Sequence, residues 1–352
     1  MWRDPFAGKA PERGLGVLQH RHKRSEADAA SGRATGAGLT LSKTTPEGPA
    51  FVTHFLAIAG FLALVATGAQ AQGLLQPRET IGAGRLFTND AIGDGSDRWR
   101  SGSFVYSHLR APIPYDGTLP KFGDLLEYRL RSEIISPDSA VRGRPYVGLL
   151  SAGVHNHFNL GRTEASVGAD IAFIGPQTKV DEFQEGYHDL FDLRQPLQSP
   201  QLDDDVFVNL TGELRRTYRL APTTTLRPFA EALIGAEDIA RVGADLMIGR
   251  VGRDDLPIRD VVTGQLYPGV VGDGSGVGFV LGGDIAHVSG SDFLPESFGY
   301  DAMSTRSRAR AGVTWQSHAG LSLFYGATYL SKEFERQPEG QVLGSLRLNF
   351  RF

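Results

Sequence analysis

After residue 71 this chain has no apolar run long enough to cross a membrane as a helix. It repeats instead runs of about ten residues in which apolar and polar side chains alternate. A backbone placed in lipid must satisfy its own hydrogen bonds, so a spanning chain with this pattern has to close a sheet on itself. The alternating runs are Ser103–Ala111, Leu125–Ile135, Tyr146–His157, Glu164–Ile174, Val206–Tyr218, Leu226–Ala236, Val277–Val288, Arg308–Gln316, Leu321–Leu330 and Val342–Phe352. With Gly84–Thr88 and a strand around Asp245–Gly249 they make about twelve strands, an even number as such barrels require. The predicted fold class is therefore all-β: a membrane-spanning antiparallel β-barrel of about twelve strands with one short helix.

The last run shows the alternation plainly. Ser345, Arg347, Asn349 and Arg351 oppose Val342, Gly344, Leu346, Leu348, Phe350 and Phe352, and Leu343 is the one apolar residue on the polar side. An amphipathic strand with a terminal aromatic resembles the signal read by the barrel assembly machinery of bacterial outer membranes, which makes that machinery an expected partner. A soluble sandwich also alternates, but has no need to finish on Phe352. Average composition does not contradict a membrane location: 41% hydrophobic residues is ordinary, because lipid-facing and lumen-facing positions cancel. A net charge of −4 supplies no basic field for nucleic acid, and the absence of cysteine excludes disulfides, thiolate metal sites and a Cys nucleophile.

One apolar run remains, Phe55–Ala66, followed by Ala69-Gln70-Ala71. A short apolar core ending in Ala-x-Ala is what signal peptidase reads, so residues 51–71 are predicted to be a signal peptide and 72–352 the barrel. Residues 1–50 are polar and rich in Arg, Gly and Pro, with no apolar face to bury, and are expected to be disordered. Initiation near Val52 would leave them untranslated.

Three segments exceed what a barrel wall needs. The first is Asn89-Asp90, followed by Asp97-Arg98-Trp99-Arg100-Ser101. Asn89 and Asp90 offer oxygen ligands to a hard cation such as calcium, with the Ser101 hydroxyl nearby, although Asn-Asp is also an ordinary turn. The second is Arg144-Pro145-Tyr146-Val147-Gly148, where Arg144 either binds an anion as a fork or simply precedes a strand. The third, Gly175–Leu190, breaks the strand rhythm. Val180, Phe183, Tyr187 and Leu190 recur at helical spacing, which predicts a helix over Thr178–Leu190 packed on the wall by that stripe. Thr178 and Asp181 have the spacing of a capping box, and Gln184 and His188 share a face beside the stripe.

Taken in order, these segments resemble the lipid A 3′-O-deacylase family of Gram-negative outer membranes. The matches are Asn89-Asp90, Asp97–Ser101, Arg144–Gly148 and Gly175-Pro176 with Gln184-x-x-x-His188, and Ser199-Pro200-Gln201-Leu202 resembles a worn remnant of the segment after the family's helix. Arg100 stands where the family has Tyr, Ser101 where it has Thr, and Gly143 where an acid or Lys precedes Arg-Pro. The resemblance implies a calcium-dependent esterase acting on lipid A, the lipid anchor of lipopolysaccharide, at the outer membrane. It implies His188 as general base, with Asn89, Ser101 and Gln184 orienting water, base or carbonyl, and Asp90 as a calcium ligand. It also makes Arg98 and Arg144 candidates for binding a lipid A phosphate. The alternatives are a phospholipase A-type barrel and a non-catalytic, porin-like or structural barrel.

Overall fold

The computed structural model describes residues 77–138, 144–192, 195, 197–252 and 255–350. The expected disordered segment 1–50 and signal peptide 51–71 lie outside the described residues, as do Gly143 and Phe352. No helix among the described residues is long and apolar enough to cross a membrane.

Each predicted run is a strand. In chain order they are β1 (Glu79–Asn89), β2 (Trp99–Ala111), β3 (Leu125–Ser136), β4 (Val147–Leu160) and β5 (Thr163–Ile174), then the helix α1 (Val180–Leu190). They continue with β6 (Asp205–Arg215), β7 (Tyr218–Ala221), β8 (Thr224–Ile234), β9 (Glu237–Gly249), β10 (Leu256–Arg259) and β11 (Leu266–Val270). The last are β12 (Gly276–Ser291), β13 (Thr305–Gln316), β14 (Leu321–Leu330) and β15 (Gln341–Phe350). Neighbours pair antiparallel in the order β6-β5-β4-β3-β2-β1-β15-β14-β13-β12-β9-β8, and a β6–β8 ladder joins the two ends. β7 continues β6 along β8, so the described residues form a closed antiparallel barrel of twelve wall strands. The β1–β15 seam is short, with Phe87, Thr88 and Asn89 facing Leu346, Ser345 and Gly344.

The alternation sorts side chains as a membrane barrel would. Phe87, Phe104, Leu130, Ile171, Phe173, Val208, Phe279, Leu281 and Leu348 are exposed on the outer face, whereas Glu127, Arg129, Asp245, Asp284, Arg308 and Arg310 are buried. Buried charges persist only when paired, and these are. Asp284 receives Arg241 (2.8 Å), Arg308 (3.0 Å) and Arg310 (2.5 Å), while Asp245 receives Arg259 (3.0 Å) and Arg310 (2.6 Å).

The strand pattern did not reveal β10 and β11. They form a separate hairpin, Ile258 pairing with Tyr267 and Arg259 with Leu266. Tyr267 and Ile258 are fully buried in a core with Leu86, Leu109, Leu125 and Phe324, which face inward from the wall. Arg259 donates to Glu213 (3.2 Å), and Gln265 reaches the carbonyls of Ala311 and Ala327 (3.2 Å each). Glycine lets the hairpin come this close: a Cβ on Gly84 would lie 2.8 Å from the Pro268 carbonyl and 2.9 Å from the Tyr267 ring. The hairpin thus plugs the lumen. Planar-bilayer recordings of the intact barrel should show no steady conductance, and a stable open channel would contradict the plug.

Candidate active site

The site forms where β1 and β2 meet the loops at one end of the barrel. Asp90 leaves β1 in a tight turn: its amide donates to the Ser101 carbonyl (3.0 Å), and its carbonyl accepts from Gly93 (2.8 Å) and Gly95 (2.9 Å). The Asp90 side chain turns inward and accepts the Arg98 amide at Oδ2 (2.9 Å). Only 1% exposed, its carboxyl is pushed up to about 8, first by burial and then by the charges of Asp97 and Asp94.

Trp99 fixes the other side of this turn. It adopts a left-handed backbone (φ 54°), costly for a bulky residue, and is held there by complete burial among Leu294, Tyr300 and Phe334. The bend, with a register shift between Arg100 and Gly102, aims successive residues to opposite sides. Ser101 Oγ donates to Asp97 Oδ1 (2.6 Å) and lies 3.5 Å from Asp90 Oδ1. Arg100 goes into the lumen instead, donating to Glu133 (2.6 Å), Glu237 (2.7 Å) and Glu333 (2.8 Å). The departure from the family's Tyr therefore sits inside the barrel and not beside the site.

The helix is present, but its faces are largely reversed relative to the sequence expectation. Val180, Gln184 and His188 form the buried side. Val180 is buried as expected, but Phe183 is 71% exposed, Leu190 77% and Tyr187 49%, so the rest of the apolar stripe points away from the protein. Nor is the predicted capping box made. Thr178 closes a 3₁₀ turn (Pro176–Thr178) by donating to the Gly175 carbonyl (2.8 Å), and Lys179, in a left-handed conformation, takes the cap position. Asp181 is instead approached by Gln201 Nε2 (3.5 Å). The segment Ser199–Leu202 has a task of its own. Pro200 accepts the Tyr146 amide (2.7 Å) and Tyr146 accepts the Leu202 amide (3.0 Å), tying the return loop to the start of β4.

This arrangement brings His188 to the acidic turn. Its Nε2 is 3.8 Å from Asp97 Oδ2, and Gln184 Nε2 donates to Asp97 Oδ1 at 3.4 Å. Gln184 Oε1 and the Tyr146 hydroxyl are buried with no hydrogen-bond partner, leaving one acceptor and one donor next to the cluster. Burial and the nearby Asp181, Asp97 and Glu185 raise the Tyr146 phenol, which keeps it protonated. The sequence motifs give no role to Asp97 or Tyr146, although the four-residue spacing of Asp97 to Ser101 is a usable sign.

The remaining predicted residues divide. Asn89 adjoins the cluster, but its Oδ1 accepts the Ala91 amide (2.8 Å), which is the ordinary turn role. Arg98 is held by Glu339 (2.8 Å), Asp138 (3.6 Å) and Asp94 (3.8 Å) and stacks on Trp99 at 4.3 Å, so a phosphate would have to displace carboxylates. Arg144, expected as a phosphate ligand, is 1% exposed and paired with Glu333.

A hard cation fits the donor chemistry of the turn. Asp90 and Asp97 supply carboxylate oxygens and Ser101 a hydroxyl, all within one turn. Among the described residues no three His, Cys, Asp or Glu side chains converge on one point. A bound cation would therefore complete its shell with carbonyls and water, as calcium does.

One glycine lets the helix lie close against the wall. A Cβ on Gly148 of β4 would lie 2.8 Å from the Val180 Cβ and 2.9 Å from Thr178 Oγ1. Gly148→Val should push α1 outward while leaving the barrel closed, and a displacement near 1 Å costs up to roughly 10²-fold in rate. Activity and heat-modifiable gel mobility measured on the same membranes would test this; undiminished activity would show that the helix contact does not matter.

The sequence profile of the family described as "Outer membrane protein LpxR" matches residues 55–352. No curated protein sequence matches the chain. Among solved structures, LpxR from Salmonella typhimurium is similar at TM-score 0.63 and 16% identity, over 77% of this chain and all of that one. The beta domain of the Bordetella autotransporter Brka gives TM-score 0.39 and 12% identity, over 78% of this chain and 99% of that one. The structural likeness speaks for the fold alone, whereas the profile match takes in the whole barrel and every motif described above. The chain belongs to the LpxR family of outer-membrane proteins.

Proposed function

We propose that this protein is an outer-membrane lipid A deacylase that hydrolyses the 3′-linked acyloxyacyl ester, with His188 as general base and calcium as cofactor. The observation that carries the reading is the convergence of Asp90, Asp97, Ser101, Gln184 and His188 at one end of an apolar-walled barrel. His188 takes a proton from water, and Asp97 at 3.8 Å stabilises the imidazolium that results. Gln184 Oε1, buried and unpartnered, accepts from that water and aims it. Ser101 is engaged with Asp97, so it orders the carboxylate and is not the nucleophile. Asp90, with Asp97, would hold calcium. Bound there, the ion supplies positive charge to the carbonyl oxygen as it becomes an oxyanion. The exposed stripe of Phe183, Tyr187 and Leu190 gives acyl chains an apolar surface beside the site. Delivery to the outer membrane would use the barrel assembly machinery, reading β15 and the residues after it.

Mass spectrometry of lipids from membranes containing the protein tests the substrate. Lipid A lacking the 3′ acyloxyacyl group is the expected product. Phospholipid lacking one chain would favour a phospholipase, and unchanged lipids with calcium present would leave a structural barrel.

A further inference from the structure

A cavity of about 60 Å³ lies inside the barrel, away from the proposed active site, next to Val261 and Val262 at the tip of the inner hairpin. Its charged lining consists of Arg100, Arg241, Arg306 and Arg308 against Glu231, Glu237 and Glu333. Each glutamate is already held by arginine. Glu237 receives Arg100 and Arg306 (2.7 Å each), Glu333 receives Arg100 (2.8 Å) and Arg144, and Glu231 receives Arg241 (3.2 Å). Just behind this lining, Asp284 receives Arg241 and Arg308, and Glu133 receives Arg100, so the charges of the cavity wall are matched.

What the lining leaves unsatisfied at Arg306 is hydrogen-bonding capacity. This side chain is 8% exposed, and its Nη1 donates to Glu237 (2.7 Å) and Glu333 (3.5 Å), but Nε and Nη2 are buried without a hydrogen-bond partner. Those two atoms form the side-on fork of the guanidinium, whose parallel N–H groups match two oxygens of one oxyanion. Arg308 Nη2 beside the cavity likewise makes no hydrogen bond and lies 3.8 Å from Glu231, while Nε of the same side chain is held by Asp284. Water needs roughly 10–15 Å³ of such volume per molecule, so the cavity takes about the five heavy atoms of a tetrahedral ion. Chloride would leave half of the fork without a partner.

We propose that this lumenal cavity binds a tetrahedral oxyanion, a phosphate group either free or carried by a lipid headgroup, in the side-on fork of Arg306. The bound anion would brace Arg100, Glu237 and Glu333 from beneath, and Arg100 adjoins Ser101 in β2.

The test uses barrel refolded from denaturant in phosphate-free detergent solution. In one arm, crystals are soaked in selenate and the anomalous selenium signal is located. In the other, the protein is crystallised with diphosphorylated lipid A and no added oxyanion. A peak beside Arg306 in the first arm assigns the site to free ions, and phosphate density there in the second arm alone assigns it to a headgroup. In solution, phosphate should raise the Tm more than sodium chloride of equal ionic strength. Arg306→Lys, which keeps the charge and loses the fork, should weaken that effect at least about tenfold. Should Arg306→Lys fail to fold, the unaltered protein still decides the matter by crystallography. Water alone in both arms, with a phosphate shift no larger than that of chloride, would overturn the proposal.

Discussion

His188→Ala should reduce lipid A deacylation by roughly 10²–10⁴-fold, the usual contribution of a general base, while the barrel still closes. The loss is expected to be this large because the described residues offer no substitute base. Asp97 is engaged by Ser101 and Gln184, and His155 and His157 are buried against Asp170 and Glu127. Folding should not suffer, since α1 is held by Val180 against Gly148 and by Pro200 and Leu202 pairing with Tyr146. Product analysis and heat-modifiable mobility on one membrane preparation separate the two effects. Full activity in the variant would remove His188 from the chemistry.

Asp90 should give the second large effect, through calcium and with a pH signature. Burial, then Asp97 and Asp94, raise its carboxyl from 3.8 to about 8, so without a cation the folded protein keeps a proton that the unfolded chain loses. The sign follows from linkage: this group's favourable contribution to stability is complete below pH 3.8 and is lost as pH rises through about 8. Calcium competes with the same proton. Its affinity should therefore rise up to about tenfold per pH unit on approaching pH 8 and level off above it. Asp90→Asn should bind calcium weakly and show no such slope. Asp90→Ala should lose activity that very high calcium restores in part, whereas His188→Ala stays inactive. Calcium titrations at fixed pH values would check this, and an affinity independent of pH below 8 would exclude Asp90 as a ligand.

The wall was legible in the sequence because its rule is local. Two-residue alternation marks ten of the twelve wall strands, since each must present one face to each environment, whereas β1 and β9 show in the sequence only over Gly84–Thr88 and around Asp245–Gly249. The inner hairpin was not legible. Leu256–Arg259 and Leu266–Val270 are only four and five residues long, carry Pro257 and Pro268, and are buried all round, so no alternation marks them. The spacing marks the helix, but of its stripe only Val180 faces the protein. Apolar residues point inward in water, yet around a barrel whose outer face is apolar the same preference leaves Phe183, Tyr187 and Leu190 outside and buries Gln184 and His188. The roles of Arg144 and Arg100 depend on Glu333, Glu237 and Glu133, partners too distant in sequence for any motif to suggest.

The short seam between β1 and β15 has a consequence for timing. The Asp90 turn is stapled to the last strand: the Asp94 amide donates to the Val342 carbonyl (3.0 Å), and the Val342 amide donates to Asp94 Oδ2 (3.1 Å). Gln341 likewise accepts the Arg100 amide at 3.2 Å and donates to the Arg98 carbonyl. The residues that shape the Asp90 turn therefore come from opposite ends of the barrel chain and meet only when the ring shuts. On the function proposed above, a chain with strands formed but the ring still open would hold His188 and Asp90 without the finished turn between them, so that ring closure would complete the site.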